Sequence, residues 1–330
     1  MAGVSVTMEA GRKGCVGSLV AERGHKTASG LVRGKGSAPR RSGPSRHQRP
    51  GKAGFDQIYN LPDPRSYYRV LLELDYKTPA YAQEVFRHLV ATQRERLGRE
   101  GVTVLDLCCS YGVNAALLNC DLTLAALYQR YCSAELASVS TEELLSADRA
   151  FYRDRRRSSP TQVLGLDAAG NAVGYARRAG LLAGGWGEDL ERAGVSDELR
   201  AGLADIDLIT VTGGVGYISE HTFARVLACL ADGRRPWVAA FALRWVDYMP
   251  IAQVLEGEGL VTEKLMSRTF PQRRFADSQE RDYVLSELAR LGVDPEGREA
   301  EGRYHAELRL SRPADEVDRK PIDELLAGVL

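Results

Sequence analysis

The sequence predicts an α/β protein in which helices cover both faces of a doubly wound, mostly parallel sheet. Three short apolar segments have the length and aliphatic content of buried parallel strands: VTVLDL (102–107), QVLGLD (162–167) and DIDLITVT (205–212). Segments with helical periodicity separate them, and this alternation is typical of doubly wound sheets. Ligands of such sheets bind outside the carboxyl ends of the strands, so we expect the functional site there.

Composition narrows the class of protein further. The 330 residues are 44% hydrophobic and 27% charged, which is ordinary for a globular chain. The longest apolar runs, such as WVAAFALRW (237–245), fall short of the roughly 18 residues that a membrane-spanning helix needs. Six cysteines include no CxxC pair, and no histidine is placed to complete a zinc set, so we expect no metal. The N-terminal charges precede no apolar signal-peptide core, which favours reduced thiols and a cytoplasmic location.

Charge is distributed unevenly along the chain. Residues 1–53 hold 11 lysines and arginines against 2 acids, whereas the remainder holds 33 against 42. The first segment is rich in Gly, Ser and Pro and lacks periodicity, so we predict a disordered basic tail. A nucleic-acid arm, an organelle transit peptide and a dispensable extension all fit it. The acidic remainder binds phosphate poorly, which argues against a nucleic-acid partner and favours a small-molecule substrate.

Residues 54–100 predict two helices that precede the sheet. Pro62 and Pro64 break the chain, after which Tyr67, Tyr68 and Leu71 recur at helical spacing. A second helix begins near Pro79. We interpret this segment as a helical lid, because it supplies much of the unusual tyrosine content of the chain, 14 tyrosines against 7 phenylalanines.

The turn after the first strand carries the strongest functional signal. In VLDLCCSYGVNAALL, an acid closes the strand and small residues lead into a helix, which lets a ligand approach the backbone N–H groups. The second strand ends at Asp167, where an acid can accept hydrogen bonds from both hydroxyls of a ribose. A strand that simply turns into a helix would give the same local pattern, and an acid there is also a common helix cap.

These motifs resemble those of the class I S-adenosylmethionine-dependent methyltransferases. The resemblance spans roughly 102–313 and rests on VLDLCCSYG, on the acid of GLDAAGNAVGYAR, and on a last segment, 272–313, that is similar to the antiparallel sixth and seventh strands of that family. It implies a seven-stranded sheet within an S-adenosylmethionine-binding domain at 101–330. Gly112 and Asp167 lie 55 residues apart, where about 20 is usual, so we expect a helical insertion near 119–160.

The resemblance also implies roles for single residues. Four positions of the first motif would border the methionine portion of S-adenosylmethionine: Asp106, Cys108, Ser110 and Gly112. Two of them, Cys108 and Ser110, stand where the family has glycines. Asp167 and Ala168 would hold the ribose, and Asp189 and Leu190 the adenine. The segment after the fourth strand would line the reactive end through Thr212, Gly213, Gly214 and Tyr217.

The reaction follows less directly from the sequence. A sulfonium needs positioning more than activation, and tyrosine faces such as those of Tyr67 and Tyr68 can hold it by cation–π attraction. TGGVGY stands where methyltransferases of nucleic acid and glutamine carry Asn-Pro-Pro-aromatic, which favours methyl transfer to a small acceptor in natural-product metabolism. His221 or His88 could serve as a general base.

Besides an RNA methyltransferase that uses the basic tail as an arm, two alternatives stay open. The segment 55–76 joined to 104–118 is similar to azetidine-2-carboxylate synthases, which cyclise S-adenosylmethionine and release methylthioadenosine. That similarity implies that Asn114 orients the amine. A non-catalytic protein that keeps the fold is the second alternative. A nicotinamide dehydrogenase fits poorly, because Cys108, Ser110 and Val113 occupy the positions of its three glycines.

Overall fold

The computed structural model describes residues 56–329, in which eight strands form one mixed sheet. The predicted basic tail and the first two residues of the predicted lid lie outside the described residues. The strands are β1 (Thr103–Leu107), β2 (Gln162–Leu166), β3 (Gly184–Trp186), β4 (Leu208–Thr212), β5 (Trp237–Leu243), β6 (Leu260–Lys264), β7 (Phe270–Arg274) and β8 (Arg303–Pro313).

Their order confirms the predicted doubly wound sheet. Seven strands follow one another as β3-β2-β1-β4-β5-β8-β6, and β7 pairs with β8. Strands β1 to β5 pair with one another in parallel, while β8 runs antiparallel to β5. β6 and β7 pair with successive parts of the same edge of β8, so together they occupy one position of the sheet.

Two strands differ from the sequence prediction. β3 was not predicted, because two glycines and a tryptophan lack the β-branched signature of a strand. β6 begins at Leu260, before the segment 272–313 in which both antiparallel strands were expected; much of that segment forms a helix instead.

Helices surround the sheet and supply the lid. Before β1 they are α1 (Asp56–Tyr59), α2 (Arg65–Glu73) and α3 (Thr78–Leu97). Between β1 and β4 they are α4 (Val113–Asn119), α5 (Leu124–Tyr131), α6 (Thr141–Arg153), α7 (Gly170–Arg178) and α8 (Asp197–Gly202). The remainder are α9 (Glu220–Leu227), α10 (Met249–Gly257), α11 (Ser278–Arg290), the 3₁₀ helix Glu299–Glu301, α12 (Ala314–Arg319) and α13 (Ile322–Leu325). None of those in residues 56–329 is both long and apolar enough to cross a membrane.

The core has one apolar layer on each face of the sheet. Along β1, Val104 belongs to the layer that includes the lid helices, whereas Leu105 and Leu107 belong to the layer on the other face. This alternation is the period of two of an extended strand. Asp106 therefore points to the same face as Val104.

A buried acid joins the lid to the two helices of the 119–160 segment. Asp148, 0% exposed, accepts hydrogen bonds from Arg130 at 2.7 Å, from the hydroxyl of Tyr131 at 2.6 Å and from that of Tyr175 at 2.7 Å. Tyr68 of α2 stacks on the Tyr131 ring, with centroids 4.4 Å apart. The lid thus rests on a cluster whose charge is neutralised inside the protein.

We expect Asp148→Asn to lower the free energy of unfolding by about 3 kcal/mol, because it leaves the partly buried Arg130 charge without its partner. Urea denaturation of the wild type and the variant measures this. Asp121→Asn is the matched control, since its pair with Arg157 is exposed and should change stability by less than about 1 kcal/mol. Equal losses in the two variants would contradict a special role for the buried cluster.

Candidate active site at the carboxyl ends of the strands

A cavity of about 420 Å³ lies at the carboxyl ends of β1, β2 and β4, beneath residues of the lid. This volume falls toward the lower end of the range for small-molecule sites, roughly 300–1,000 Å³. The sheet supplies its floor, and Tyr59, Asn60, Tyr67 and Tyr76 supply its cover. The cavity therefore stands where doubly wound sheets bind their ligands.

The turn after β1 is held in an unusual backbone conformation. Cys108 and Ser110 have φ values of 56° and 48°, a region that side-chain-bearing residues rarely adopt, and Gly112 has a φ of 77°. Gly214 leaves room for the Cys108 side chain, because a Cβ on Gly214 would lie 2.7 Å from the Cys108 sulfur. Positive φ at two non-glycine residues stores strain of the kind that collects at functional sites.

Asp167 fixes that turn from the neighbouring strand. Its carboxylate accepts hydrogen bonds from the backbone N–H of Ser110 at 2.9 Å and from that of Ala169 at 2.8 Å. Burial raises the pKa of Asp167, although these two hydrogen bonds oppose the shift. Each carboxylate oxygen can accept a further hydrogen bond, so Asp167 can also bind a ligand hydroxyl from the cavity.

Asp106 lies beneath the cavity and does not line it. This carboxylate is 0% exposed; its Oδ1 accepts hydrogen bonds from Asn114 at 2.9 Å and from Thr210 at 2.8 Å. Its Oδ2 has no hydrogen-bond partner among residues 56–329. Burial raises the pKa of Asp106 to about 7, with the two hydrogen bonds opposing the rise. The structure therefore does not place Asp106 in the wall of the cavity, where it was expected; Asn114 lies between this acid and the cavity.

Asn114 links this buried acid to the cavity surface. Its amide nitrogen donates both to Asp106 and to the hydroxyl of Thr212, each at 2.9 Å. Because both amide hydrogens are committed, its oxygen Oδ1 stays available as an acceptor. Asn114 and Thr212 both line the cavity.

The far end of the cavity is acidic. Asp189 lines it and accepts the backbone N–H of Glu191 at 3.1 Å, while Arg192 lies 3.4 Å from its other oxygen. Glu191 turns to α9, where it accepts hydrogen bonds from Ser219 and Thr222. Burial alone would raise the pKa of Glu191, but these hydrogen bonds outweigh it and hold the pKa below its usual range. Asp189 is therefore an acid of this end that remains accessible to a ligand.

Three tyrosines of the lid form an uncharged aromatic wall of the cavity. The rings of Tyr59 and Tyr67 lie 5.6 Å apart, and Tyr76 also lines the cavity. Burial raises the pKa of Tyr59 to about 12 and holds the pKa values of Tyr67 and Tyr76 well above their usual range. The phenols are therefore neutral at physiological pH, and their faces can attract a cation.

The lid is tied to the rest of the protein by polar contacts. Asn60 accepts the backbone N–H of Asn171 at 2.8 Å, and the Asn171 amide donates back to the Asn60 carbonyl at 3.0 Å. Arg65 donates to the carbonyls of Leu136 and Val139, both at 2.8 Å. These bonds keep the tyrosine wall over the cavity.

The structure brings most of the predicted site residues together. Those that line the cavity are Tyr67, Cys108, Ser110, Asn114, Asp167, Ala168, Asp189, Leu190, Thr212, Gly213, Gly214 and Tyr217. Besides Asp106, three predicted site residues do not line the cavity: Tyr68, His221 and Gly112. Tyr68 is 2% exposed and packs on Tyr131, and the His221 side chain is 66% exposed on the first turn of α9. Gly112 packs beneath the turn, where a Cβ would lie 3.1 Å from Ala176. His88, which bonds the Leu325 carbonyl at 2.9 Å, does not line the cavity either.

Sequence reasoning missed residues that reach the cavity from other elements. Glu188 and Arg192 flank the predicted Asp189, and Gln272 and Arg273 come from β7. Glu188 and Arg192 could have been found from the GWGEDLER segment itself, because both lie close to Asp189 in the sequence. The β7 residues could not, because no local pattern links them to the turn after β1.

Comparison with known proteins adds little at the level of sequence. No protein-family model matches the chain, and no curated protein is significantly similar to it. Among solved structures it is similar to a magnesium protoporphyrin IX methyltransferase from Synechocystis with bound S-adenosylmethionine, at 16% identity over 70% of this chain and 80% of that chain, with a TM-score of 0.32. A TehB-like S-adenosylmethionine-dependent methyltransferase from Corynebacterium glutamicum has 16% identity over 67% and 85%, with a TM-score of 0.32.

A plantazolicin methyltransferase, solved with a substrate analogue and S-adenosylhomocysteine, has 11% identity over 78% of this chain and 93% of that chain, with a TM-score of 0.37. At these identities and TM-scores the similarity assigns no activity to this chain.

We expect Asp106→Asn to change how stability depends on pH. The folded-state pKa near 7 exceeds the ordinary value of 3.8, so the native protein binds the extra proton between these limits, and this contribution to stability is lost as the pH rises toward 7. The free energy of unfolding of the wild type should therefore fall more steeply between about pH 4 and pH 7 than that of the variant. Urea denaturation across that range measures the difference.

The exposed Asp154 gives the control, because Asp154→Asn should leave the wild-type slope unchanged. Parallel slopes in all three proteins would contradict a proton held at Asp106.

Proposed function

We propose that this chain is an S-adenosylmethionine-dependent enzyme that acts on a small molecule, with methyl transfer to a small acceptor as the favoured reaction. One observation carries the proposal: a single cavity is lined both by acids at the ends of β2 and β3 and by an uncharged tyrosine wall. A nucleoside needs hydrogen-bond acceptors, and a sulfonium needs aromatic faces without a competing base.

The residues present fit such a ligand. Asp167 would accept the ribose hydroxyls and Asp189 the adenine amino group. Ser110 Oγ is buried without a hydrogen-bond partner among residues 56–329. A bound ligand or a water molecule would supply that partner. Thr212, Gly213 and Gly214 would leave room for the reactive end, because two of the three carry no side chain.

When bound, the sulfonium supplies an activated carbon, so the protein has little bond chemistry of its own to perform. Tyr59, Tyr67 and Tyr76 would exclude water and hold the positive charge, and the fixed cavity would align the acceptor. Proximity and orientation of this kind can supply about 7–11 kcal/mol of a barrier. The acceptor would form a bond to the methyl carbon as the carbon–sulfur bond breaks, S-adenosylhomocysteine would leave with the electron pair of that bond, and the methylated acceptor would release a proton to solvent.

Cyclisation of S-adenosylmethionine is the second candidate. The small volume of the cavity and its tyrosine cover support it. A space of about 420 Å³ leaves limited room for an acceptor beside the nucleoside. In this reaction the α-amine bonds to the γ-carbon, the γ-carbon–sulfur bond breaks, methylthioadenosine leaves and the ammonium loses a proton. The Asn114 oxygen would then orient the amine.

Incubation of the purified chain with S-adenosylmethionine alone, followed by mass spectrometry, separates these candidates. Methyl transfer predicts that the ligand stays intact until an acceptor is added. Formation of methylthioadenosine with azetidine-2-carboxylate would instead establish the cyclase. Calorimetry that detects no binding of S-adenosylmethionine or S-adenosylhomocysteine would refute both candidates, and binding without any turnover would indicate a non-catalytic protein.

We expect Asp167→Asn to weaken S-adenosylhomocysteine binding by roughly 10- to 100-fold, because a charged acceptor for the ribose hydroxyls is lost. Calorimetric titration measures the dissociation constant. Asp205→Asn is the matched control. Asp205 precedes β4 and so lies near the amino ends of the parallel strands, away from the cavity, where it forms an exposed ion pair with Arg234. Unchanged affinity in Asp167→Asn would rule out the ribose role.

A further inference from the structure

The end of the cavity reached by β7 contains a polar side chain that the proposed reaction has not used. We propose that the amide of Gln272 binds the carboxylate of the amino-acid portion of S-adenosylmethionine. This inference rests on the proposed function and assigns the part of the ligand that the acids of β2 and β3 do not reach.

A β-bulge aims Gln272 at the cavity. Pro271 pairs with His305 and Arg274 pairs with Arg303, so β7 contains one more residue than β8 between these pairs. Such a bulge re-aims side chains and is frequent beside functional sites. Gln272 and Arg273 are successive residues, yet both line the same cavity.

The backbone of the bulge is held firmly in place. The carbonyl of Gln272 accepts the N–H of Lys77 at 2.7 Å, and the N–H of Arg274 donates to the carbonyl of Leu74 at 2.7 Å. The Arg273 guanidinium donates to both oxygens of the buried Glu280, at 2.9 and 2.6 Å. The bulge is thus anchored on the lid, and the charge next to Gln272 is neutralised.

The amide of Gln272 itself is uncommitted. The residue is only 4% exposed and lines the cavity, and its side chain makes no hydrogen bond to any of the residues 56–329. Its nitrogen lies 3.1 Å from the point where a Cβ on Gly213 would stand. An amide that lines the cavity without a partner among these residues can donate to a ligand group there.

The surroundings specify an amino acid. The Tyr76 hydroxyl and the Gln272 amide nitrogen each lie 3.1 Å from the point where a Cβ on Gly213 would stand, and Gln272 supplies the amide donor there. On the other side of Thr212, Asn114 has only its oxygen left as an acceptor. The Gln272 amide, near Gly213, can donate to a carboxylate, and the Asn114 oxygen, near Thr212, can accept from an ammonium. Because Thr212 and Gly213 are adjacent, this donor and this acceptor match the carboxylate and the ammonium of one α-amino acid.

Calorimetry with three ligands tests the assignment in the full chain. The ligands are S-adenosylmethionine, its decarboxylated form, and methylthioadenosine, which lacks the amino acid. We expect Gln272→Leu to weaken S-adenosylmethionine binding roughly tenfold and to leave the affinities for the other two ligands unchanged. Gln272→Glu should weaken it further, because it places a negative charge against the carboxylate. Gln253→Leu, on the exposed face of α10, is the control for the substitution itself.

The methylthioadenosine titration also reports whether each variant is folded. Wild-type affinity of Gln272→Leu for S-adenosylmethionine would overturn the assignment while the proposed function stands. An equal loss for all three ligands would overturn it too, because it would mean that Gln272 only supports the cavity. If the wild type binds none of the three, the proposed function fails and the assignment fails with it.

Discussion

Leu107 pairs in register with Leu166 on one side and with Val211 on the other. Parallel strands in register end at one level, so the chain leaves β1, β2 and β4 side by side and delivers Cys108, Asp167 and Thr212 to a single edge. Every contact of the cavity floor depends on this pairing. A shift of one residue would turn Asp106 to the opposite face and break the hydrogen bond between Ser110 and Asp167.

The same register explains how the turn after β1 keeps a strained backbone. Positive φ at a residue with a side chain is unfavourable by about 1–3 kcal/mol, and this turn has two such residues. The hydrogen bond from Ser110 to a carboxylate contributes a comparable amount, about 1.5–3 kcal/mol. On the other side of the turn, Asp106 holds the first turn of α4 through Asn114. The strain persists because two acids on neighbouring strands fix the segment from both sides.

The sequence predicted those parts of the molecule that local pattern encodes. Aliphatic runs of five or more residues marked β1, β2 and β4, and the positions of Asp106 and Asp167 within or directly after these runs predicted that both acids lie near the ends of strands. Tyr67 and Tyr68 could not be told apart, since both are buried tyrosines of one helix; the Asp148 cluster, which forms only in the folded protein, draws Tyr68 away from the cavity. Gln272 was hidden for a related reason, because its direction depends on a bulge that only the pairing with β8 creates.

The two proposed reactions place different demands on the amino-acid end of the ligand. In methyl transfer that end is only an anchor, whereas in cyclisation its amine must lose a proton and reach the γ-carbon. Asn114 is a neutral acceptor, which stabilises an ammonium less than a carboxylate would and so opposes deprotonation less. The nearest acid beneath it, Asp106, is fully buried, and its pKa of about 7 keeps much of it neutral near that pH. An amine held in these surroundings would give up its proton more readily than one beside an accessible carboxylate, which is a requirement of cyclisation that methyl transfer does not have.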